Sequence, residues 1–298
     1  MQRDVASPEI SVVIPTFNRL ASLRRCLDSL QRVPSPALTI VVVDDGSRDG
    51  TADCMRRDYP SVTLLLGDGN LWWSQAMNIG CRYAVAAGAT WVLVMNDDNQ
   101  IEHDAIAALV ETSRQNPDAV VGSKVLVLST PQTIWSAGGT VCWPWPGTAM
   151  RGYYEPDRGQ FETLSEVDWL PGMGTLIRTE HLKQLGYYDA RHLPQVWADT
   201  DFTLRARKNG LRVLYEPRSR LINDTSTTGL SAQARTAKEF WQTLVHLRSR
   251  LRVRSTAWFY LHHCPVWWLP VAYGLLYGRH AASWIKRMLR THSARQPQ

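Results

Sequence analysis

Residues 91–98 read Trp-Val-Leu-Val-Met-Asn-Asp-Asp. The apolar run suits a strand buried on both faces, as in a parallel sheet. It stops abruptly at Asn96, Asp97 and Asp98. In open α/β sheets, ligands bind beyond the carboxyl ends of the strands. Two adjacent carboxylates there repel each other by roughly 4 kcal/mol at close range, with an effective dielectric of about 20. A cation relieves that repulsion, and carboxylate oxygens suit Mg²⁺ or Mn²⁺ when a phosphate supplies further oxygens. Taken alone, the triplet reads better as a polar turn that caps the next helix. The stretches around it decide between the two.

Upstream, Ile10–Pro15 and Leu38–Val43 are short apolar runs, with helical periodicity over Leu20–Leu30 between them. Val62–Leu66 predicts a third strand, Ser74–Ala87 a helix with one small and apolar face, and Trp91–Met95 a fourth strand. A helix over Ala105–Thr112 and a strand over Ala119–Gly122 continue the alternation. This order predicts an α/β fold with a mostly parallel sheet flanked by helices. From Leu126 to Leu170 the chain is rich in Gly, Pro and Trp and reads as hairpins and loops. Asp199–Lys208 predicts a helix stopped by Asn209-Gly210, then a strand over Leu211–Tyr215; Ala232–Arg254 predicts a long basic helix.

Hydrophobic content of 44% and charged content of 20% belong to a globular chain, and 298 residues allow one large α/β domain with a modest appendage. Met1 to Glu9 is polar and lacks a secretory core. Five scattered cysteines without metal-ligand spacing suit a reducing cytoplasm. The charge is divided unevenly. Residues 231–298 hold eleven Lys or Arg against Glu239 alone, a net +10, which leaves residues 1–230 at −4 of the total +6. A dinucleotide-dependent dehydrogenase would need Gly-x-Gly-x-x-Gly after the first strand. Pro15-Thr16-Phe17-Asn18-Arg19 stands there instead, so that class is excluded.

Four stretches, in order, resemble family 2 glycosyltransferases of GT-A fold. They are Val12–Arg19, Val41-Val42-Val43-Asp44-Asp45-Gly46-Ser47, Asn96-Asp97-Asp98, and Trp197-Ala198-Asp199-Thr200-Asp201-Phe202-Thr203-Leu204-Arg205. The resemblance covers about residues 10–225, and Gly69–Ser74 with Asn78 is similar to a bacterial, rhamnosyltransferase-like branch that builds cell-surface polysaccharides. It implies a domain over 1–230 and a basic, Trp-rich helical region over 231–298. It implies inverting transfer of a sugar from a nucleotide-diphosphate donor (dTDP- or UDP-linked, dTDP-rhamnose among them) to a glycan or lipid-linked acceptor. By the same resemblance Pro15, Thr16, Asn18, Arg19, Asp45, Trp73, Asn78 and Asp97 hold the nucleotide sugar. Asp98 and Asp224 hold Mg²⁺ or Mn²⁺. Asp199 is the general base, and Gly172, Met173, Gly174 and Trp197 line the sugar or acceptor pocket.

Plain structural readings stand beside these roles. Asp44-Asp45-Gly46-Ser47 serves equally as a strand-to-helix turn, and Pro171-Gly172-Met173-Gly174 as a simple turn. Trp72 and Trp73 could be core residues, though two tandem Trp on opposite sides of an extended chain leave one to face a ligand. Asp201 and Arg205 have the spacing of an ordinary helix ion pair. For Asp199 the family pattern outweighs a capping role, and a helix N-terminus favours negative charge there. The chain departs from the family pattern at Ala198, where Glu is common. It departs again over Leu221-Ile222-Asn223-Asp224-Thr225, where a metal-binding His is often found; Asn223 or Asp224 could supply the oxygen. A sugar-phosphate nucleotidyltransferase would need a Gly-rich first loop with Arg or Lys, which is missing. A non-catalytic nucleotide-sugar-binding scaffold is the remaining alternative.

In the tail, Arg248, Arg250, Arg252 and Arg254 precede 24 residues without formal charge, Ser255 to Gly278. That length would permit a span. His262, His263, Pro265 and Pro270 interrupt it, and its Trp and Tyr density is that of a headgroup interface. The expectation is a peripheral protein docked on the anionic, cytoplasmic face of the cell membrane, with no nucleic-acid partner.

Overall fold

The computed structural model describes residues 9–33, 38–227, 234 and 236–293. The polar N-terminal stretch before Glu9 lies outside them, as does most of 228–235. The strands are β1 (Ile10–Thr16), β2 (Leu38–Asp44), β3 (Thr63–Leu66), β4 (Trp91–Val94), β5 (Asn99–Ile101), β6 (Ala119–Val127), β7 (Thr130–Ser136), β8 (Gly139–Cys142), β9 (Gly147–Met150), β10 (Ser165–Glu166), β11 (Thr175–Arg178) and β12 (Arg212–Asn223). The helices are α1 (Leu20–Gln31), α2 (Thr51–Asp58), α3 (Trp72–Ala86), α4 (Ala105–Gln115), α5 (Thr179–Leu185), α6 (Ala198–Lys208), α7 (Ala237–Val245), α8 (Val253–His263) and α9 (Leu269–Ser293).

The main sheet runs β10-β12-β6-β11-β4-β1-β2-β3. Parallel pairing joins β4, β1, β2 and β3, and also β6 with β12. Strand β11 lies antiparallel between β4 and β6 and links the two parallel groups. It and α5 were not anticipated, because Thr175–Leu185 is too short to show either periodicity. The near-continuous apolar strands are buried on both faces. Along β1, Val13 joins Val41, Val43 and Met77 on one side. Val12 and Ile14 join Val42, Leu23 and Leu27 on the other. That is the period-2 alternation of a strand, hidden in sequence because both faces are covered.

Helix α3 lies close on this sheet because one face is small. A Cβ added to Gly80 would stand 2.3 Å from Val13 Cγ1 and 3.2 Å from Val43 Cγ2. Gly80→Ala gains about 1 kcal/mol in helix propensity. Overpacking against a stiff β-branched neighbour costs about 1–3 kcal/mol. We expect the clash to win: the urea midpoint of Gly80→Ala should fall with an unchanged slope. A rise would show that α3 shifts freely.

The long basic helix expected over Ala232–Arg254 is broken. Its described part forms α7, which ends at Val245, and α8 begins only at Val253. His246 is extended (φ −71°, ψ 138°), and the chain from there to Arg252 turns towards the sheet instead of continuing the helix. Helix α8 packs into the main core through Phe259 and Tyr260. Among the described residues, no helix is long and apolar enough to cross a membrane.

Candidate active site

Pairing register brings the first group of side chains together. Val13 lies opposite Val94 in the parallel β1–β4 pair, so Thr16 and Asp97, each three residues further, emerge at the same level. The Thr16 hydroxyl donates to Asp97 Oδ2 at 2.8 Å. Arg19, at the start of α1, faces both carboxylates, 3.1 Å from Asp97 Oδ1 and 3.0 Å from Asp98 Oδ2. Asn18 sits in left-handed backbone (φ 53°) and ties this loop to the one after β2: its N–H donates to Ser47 Oγ, and its Oδ1 accepts from Arg48 N–H. Asp44 Oδ1 accepts from Ser47 N–H, so the turn reading holds for Asp44. Asp45 accepts from the backbone N–H groups of Gly69, Leu71 and Trp72. It thereby orders the entry to α3, with one acceptor position left of the roughly four a carboxylate offers.

The second group comes from β11 and α6. Because β11 is antiparallel to β4, with Thr175 opposite Val94, the residues preceding it run past the carboxyl end of β4. Gly172 N–H donates to Asp199 Oδ2 at 2.8 Å. The other oxygen, Oδ1, accepts from Thr200 N–H at 2.7 Å. A Cβ on Gly172 would lie 2.6 Å from Trp73 Cζ2 and 3.2 Å from Asp199 Cβ, so the absent side chain lets ring and carboxylate approach. The Trp73 indole N–H donates to Asn96 Oδ1 at 2.8 Å, which joins the two groups. Trp197, in left-handed backbone (φ 69°) ahead of α6, stacks on Phe259 with centroids 4.6 Å apart. Asp201 pairs with Arg205 at 2.8 Å and with His263 at 2.8 Å, the structural role expected of the helix pair.

One cleft of about 650 Å³ unites Pro15, Thr16, Asn18, Arg19, Asp45, Asp97, Asp98, Met173, Trp197 and Asp199, with both Trp72 and Trp73 on its wall. Ligand clefts typically span about 300–1,000 Å³. Four expected site residues do not line it: Gly172, whose N–H meets Asp199, and three that serve other contacts. Asn78 is buried with both ends of its amide on the Tyr188 backbone, at 2.8 and 2.9 Å. Gly174 (φ +64°) serves the sheet: a Cβ there would meet Ser123 Oγ at 2.8 Å. Asp224 spends Oδ1 on Ser226 and turns Oδ2 towards Arg25 at 3.3 Å. Asn223 Oδ1 accepts from Asn99 Nδ2 within the core.

Burial, opposed by Arg19, pushes the Asp97 carboxyl up to about 7, and Asp98 is raised for the same reasons. Burial wins because Arg19 is 27% exposed, so water screens part of its charge. The folded protein therefore holds a proton that the unfolded chain releases near its ordinary carboxylate value of 3.8. Stability contributed by this group is present below that value and is lost as pH rises towards about 7. A divalent cation competes with that proton. If Asp98 holds a divalent cation, its affinity in the presence of a nucleoside diphosphate should rise as pH rises from the acid side, because the raised Asp98 carboxyl must first lose its proton. A calorimetric series that is flat from acid to neutral pH would refute this.

The residues present suit such a cation. Among the described residues no group of three or more His, Cys, Asp or Glu is gathered. Asp97 and Asp98 present hard oxygens to an open cleft, and a cation of the Mg²⁺ type is commonly held by one or two carboxylates with substrate phosphates completing the set.

The model of glycosyl transferase family 2 matches residues 11–186 of this chain. The chain belongs to that family. It is 26% identical over 261 residues to an N-acetylglucosaminyl-diphospho-decaprenol L-rhamnosyltransferase of Mycobacterium tuberculosis, covering 81% of this chain and 84% of that one. It is 23% identical to a poly-beta-1,6-N-acetyl-D-glucosamine synthase of Staphylococcus epidermidis, over 90% of this chain and 66% of the other. In fold it resembles GalNAc-T7, solved with UDP, GalNAc and Mn²⁺: TM-score 0.61, 18% identity, 81% of this chain but only 48% of that one. It also resembles residues 1–349 of S. aureus TarS with UDP-GlcNAc: TM-score 0.52, 19% identity, 76% of this chain and 62% of that one. The structural likenesses establish the GT-A type of fold.

Sequence reasoning missed part of this family 2 transferase's cleft. Arg248 and Arg250, assigned to a membrane-facing tail, line it, as do Trp135, Trp169 and Gln195. The chain carrying the two arginines is a series of turns, and no local pattern in the sequence announces it.

Proposed function

We propose that the chain is an inverting transferase that moves a sugar from a dTDP- or UDP-linked donor, with dTDP-rhamnose one candidate, to a glycan or lipid-linked acceptor of a bacterial cell surface. One observation carries the reading: the Asp97–Asp98–Arg19 cluster and the Asp199 carboxylate open into the same cleft. Thr16, Asn18 and Asp45 would hold the nucleoside, Asp97 the ribose, and Arg19 the diphosphate, with Trp73 against the donor. Asp98, with Asp97 beside it, would hold Mg²⁺ or Mn²⁺. When bound, that ion supplies a Lewis acid that offsets charge on the departing diphosphate. Asp199, held as an acceptor by two backbone N–H groups, would take the proton of the acceptor hydroxyl. The relatives' printed activities support the acceptor class, because a lipid diphosphate sugar is what the M. tuberculosis relative's name specifies.

The C-terminal region supports work at the inner membrane face. Trp241, Leu261, Val266, Trp267 and Leu289 are exposed there, on a segment of strong positive charge. Failure to co-sediment with anionic vesicles at low salt would remove that placement. The transferase reading is tested by donor binding and hydrolysis across a panel of nucleotide sugars with Mg²⁺, Mn²⁺ or EDTA. Cation-dependent turnover of one donor is expected; binding of none would overturn it.

A further inference from the structure

The cleft has a second cationic wall that the donor chemistry leaves unused. Arg248 and Arg250, on the irregular segment between α7 and α8, both line the cleft, Arg250 beside Trp197. Among the described residues neither is joined to a carboxylate: the Arg248 backbone N–H donates to His246 Nδ1, and the one polar partner of the Arg250 guanidinium is Thr148 Oγ1 at 3.4 Å. Arg250 lies with its Cζ 4.7 Å from the Trp197 ring centroid. Stacking of that kind holds a guanidinium in one plane with its N–H fork free. Arg250 is crowded by protein atoms yet open to the cleft, and Asp199 is near enough for its charge to act on it. In the transferase reading the donor diphosphate falls to Arg19 and to a cation at the Asp97–Asp98 pair, at the ends of β1 and β4.

Two guanidinium groups with no carboxylate bonded to them among the described residues, one of them near the Asp199 carboxylate, leave room for an anion, and a planar fork matches phosphate oxygens. On this basis, and resting on the transferase reading above, we propose that Arg248 and Arg250 bind a phosphate or diphosphate carried by the acceptor, next to the sugar whose hydroxyl faces Asp199. The acceptor is therefore a phosphate-linked sugar rather than a neutral glycan. The segment that could have continued α7 is bent so that both side chains reach the cleft.

The test uses the full chain saturated with the nucleoside diphosphate it binds, and titrates inorganic pyrophosphate as the probe, read by tryptophan fluorescence and calorimetry. One pyrophosphate should bind beside the nucleotide. Arg250→Ala and Arg248→Ala should each weaken it at least tenfold, and Arg250→Lys, which keeps the charge but loses the fork, several-fold, all with unchanged nucleotide affinity. Absence of a second site on wild type, or equal binding in the variants, would overturn the proposal. Loss of nucleotide binding in Arg250→Lys would also overturn it, by assigning the arginine to the donor. Should no nucleotide bind, the transferase reading fails; arginine-dependent pyrophosphate binding to the free protein would still support the anion site, and its absence would sink that too.

Discussion

Asp199→Asn is expected to lower sugar transfer by about 10²–10⁴-fold, the usual worth of a positioned base, with nucleotide binding intact. The geometry makes this substitution informative. The carboxylate accepts at both oxygens, from Gly172 N–H and Thr200 N–H. An amide keeps one of those bonds and points an N–H₂ at the other donor, so the local cost is about that of one hydrogen bond, roughly 1 kcal/mol. A capping residue would show that stability loss and little else. A base would show a fall in turnover far beyond it, at a donor affinity matching wild type. Transfer within a few-fold of wild type, with the denaturation midpoint lowered, would return Asp199 to the role of a helix cap.

Asp98→Ala should abolish the cation dependence itself. If the ion contributes several kcal/mol to the departing charge, turnover should drop by at least about a hundredfold, and added Mn²⁺ should not restore it. EDTA should bring wild type to the same residual rate and have no further effect on the variant. Arg19 retains Asp97 as a partner at 3.1 Å, so the substitution does not strand a buried cation and the fold should survive. Asp224→Asn separates the two candidate ligands. Its carboxylate faces Ser226 and Arg25, so a loss equal to that of Asp98→Ala would bring Asp224 back to the metal. Turnover that is indifferent to EDTA in wild type would end the metal reading.

Much of this was legible from sequence, for local reasons. The apolar runs of β1, β2 and β4 are long enough to announce buried strands, and each ends in polar residues at the edge where ligands bind. Hence Thr16, Asp45, Asp97 and Asp98 could be named as candidates, and they line one cleft. Asp199 became a candidate through its place in a family motif, and it lines the same cleft. Asn78 was misplaced because a buried amide clamping a backbone and one touching a ligand are spelled alike. Gly174 was misplaced for a similar reason, since close approach to Ser123 and close approach to a sugar both ask for glycine.

The sequence by itself determined the alternation of strands and helices, the family, and the carboxylates at the strand ends, because periodicity and short motifs are properties of neighbouring residues. The tertiary structure alone decided which distant groups share the cleft. Strand β11 runs antiparallel and so carries Gly172 to Asp199. The chain after α7 bends, and Arg250 crosses to the face of Trp197, 53 residues away in sequence. Such pairings depend on how packed elements fold back on one another, and no local pattern records that.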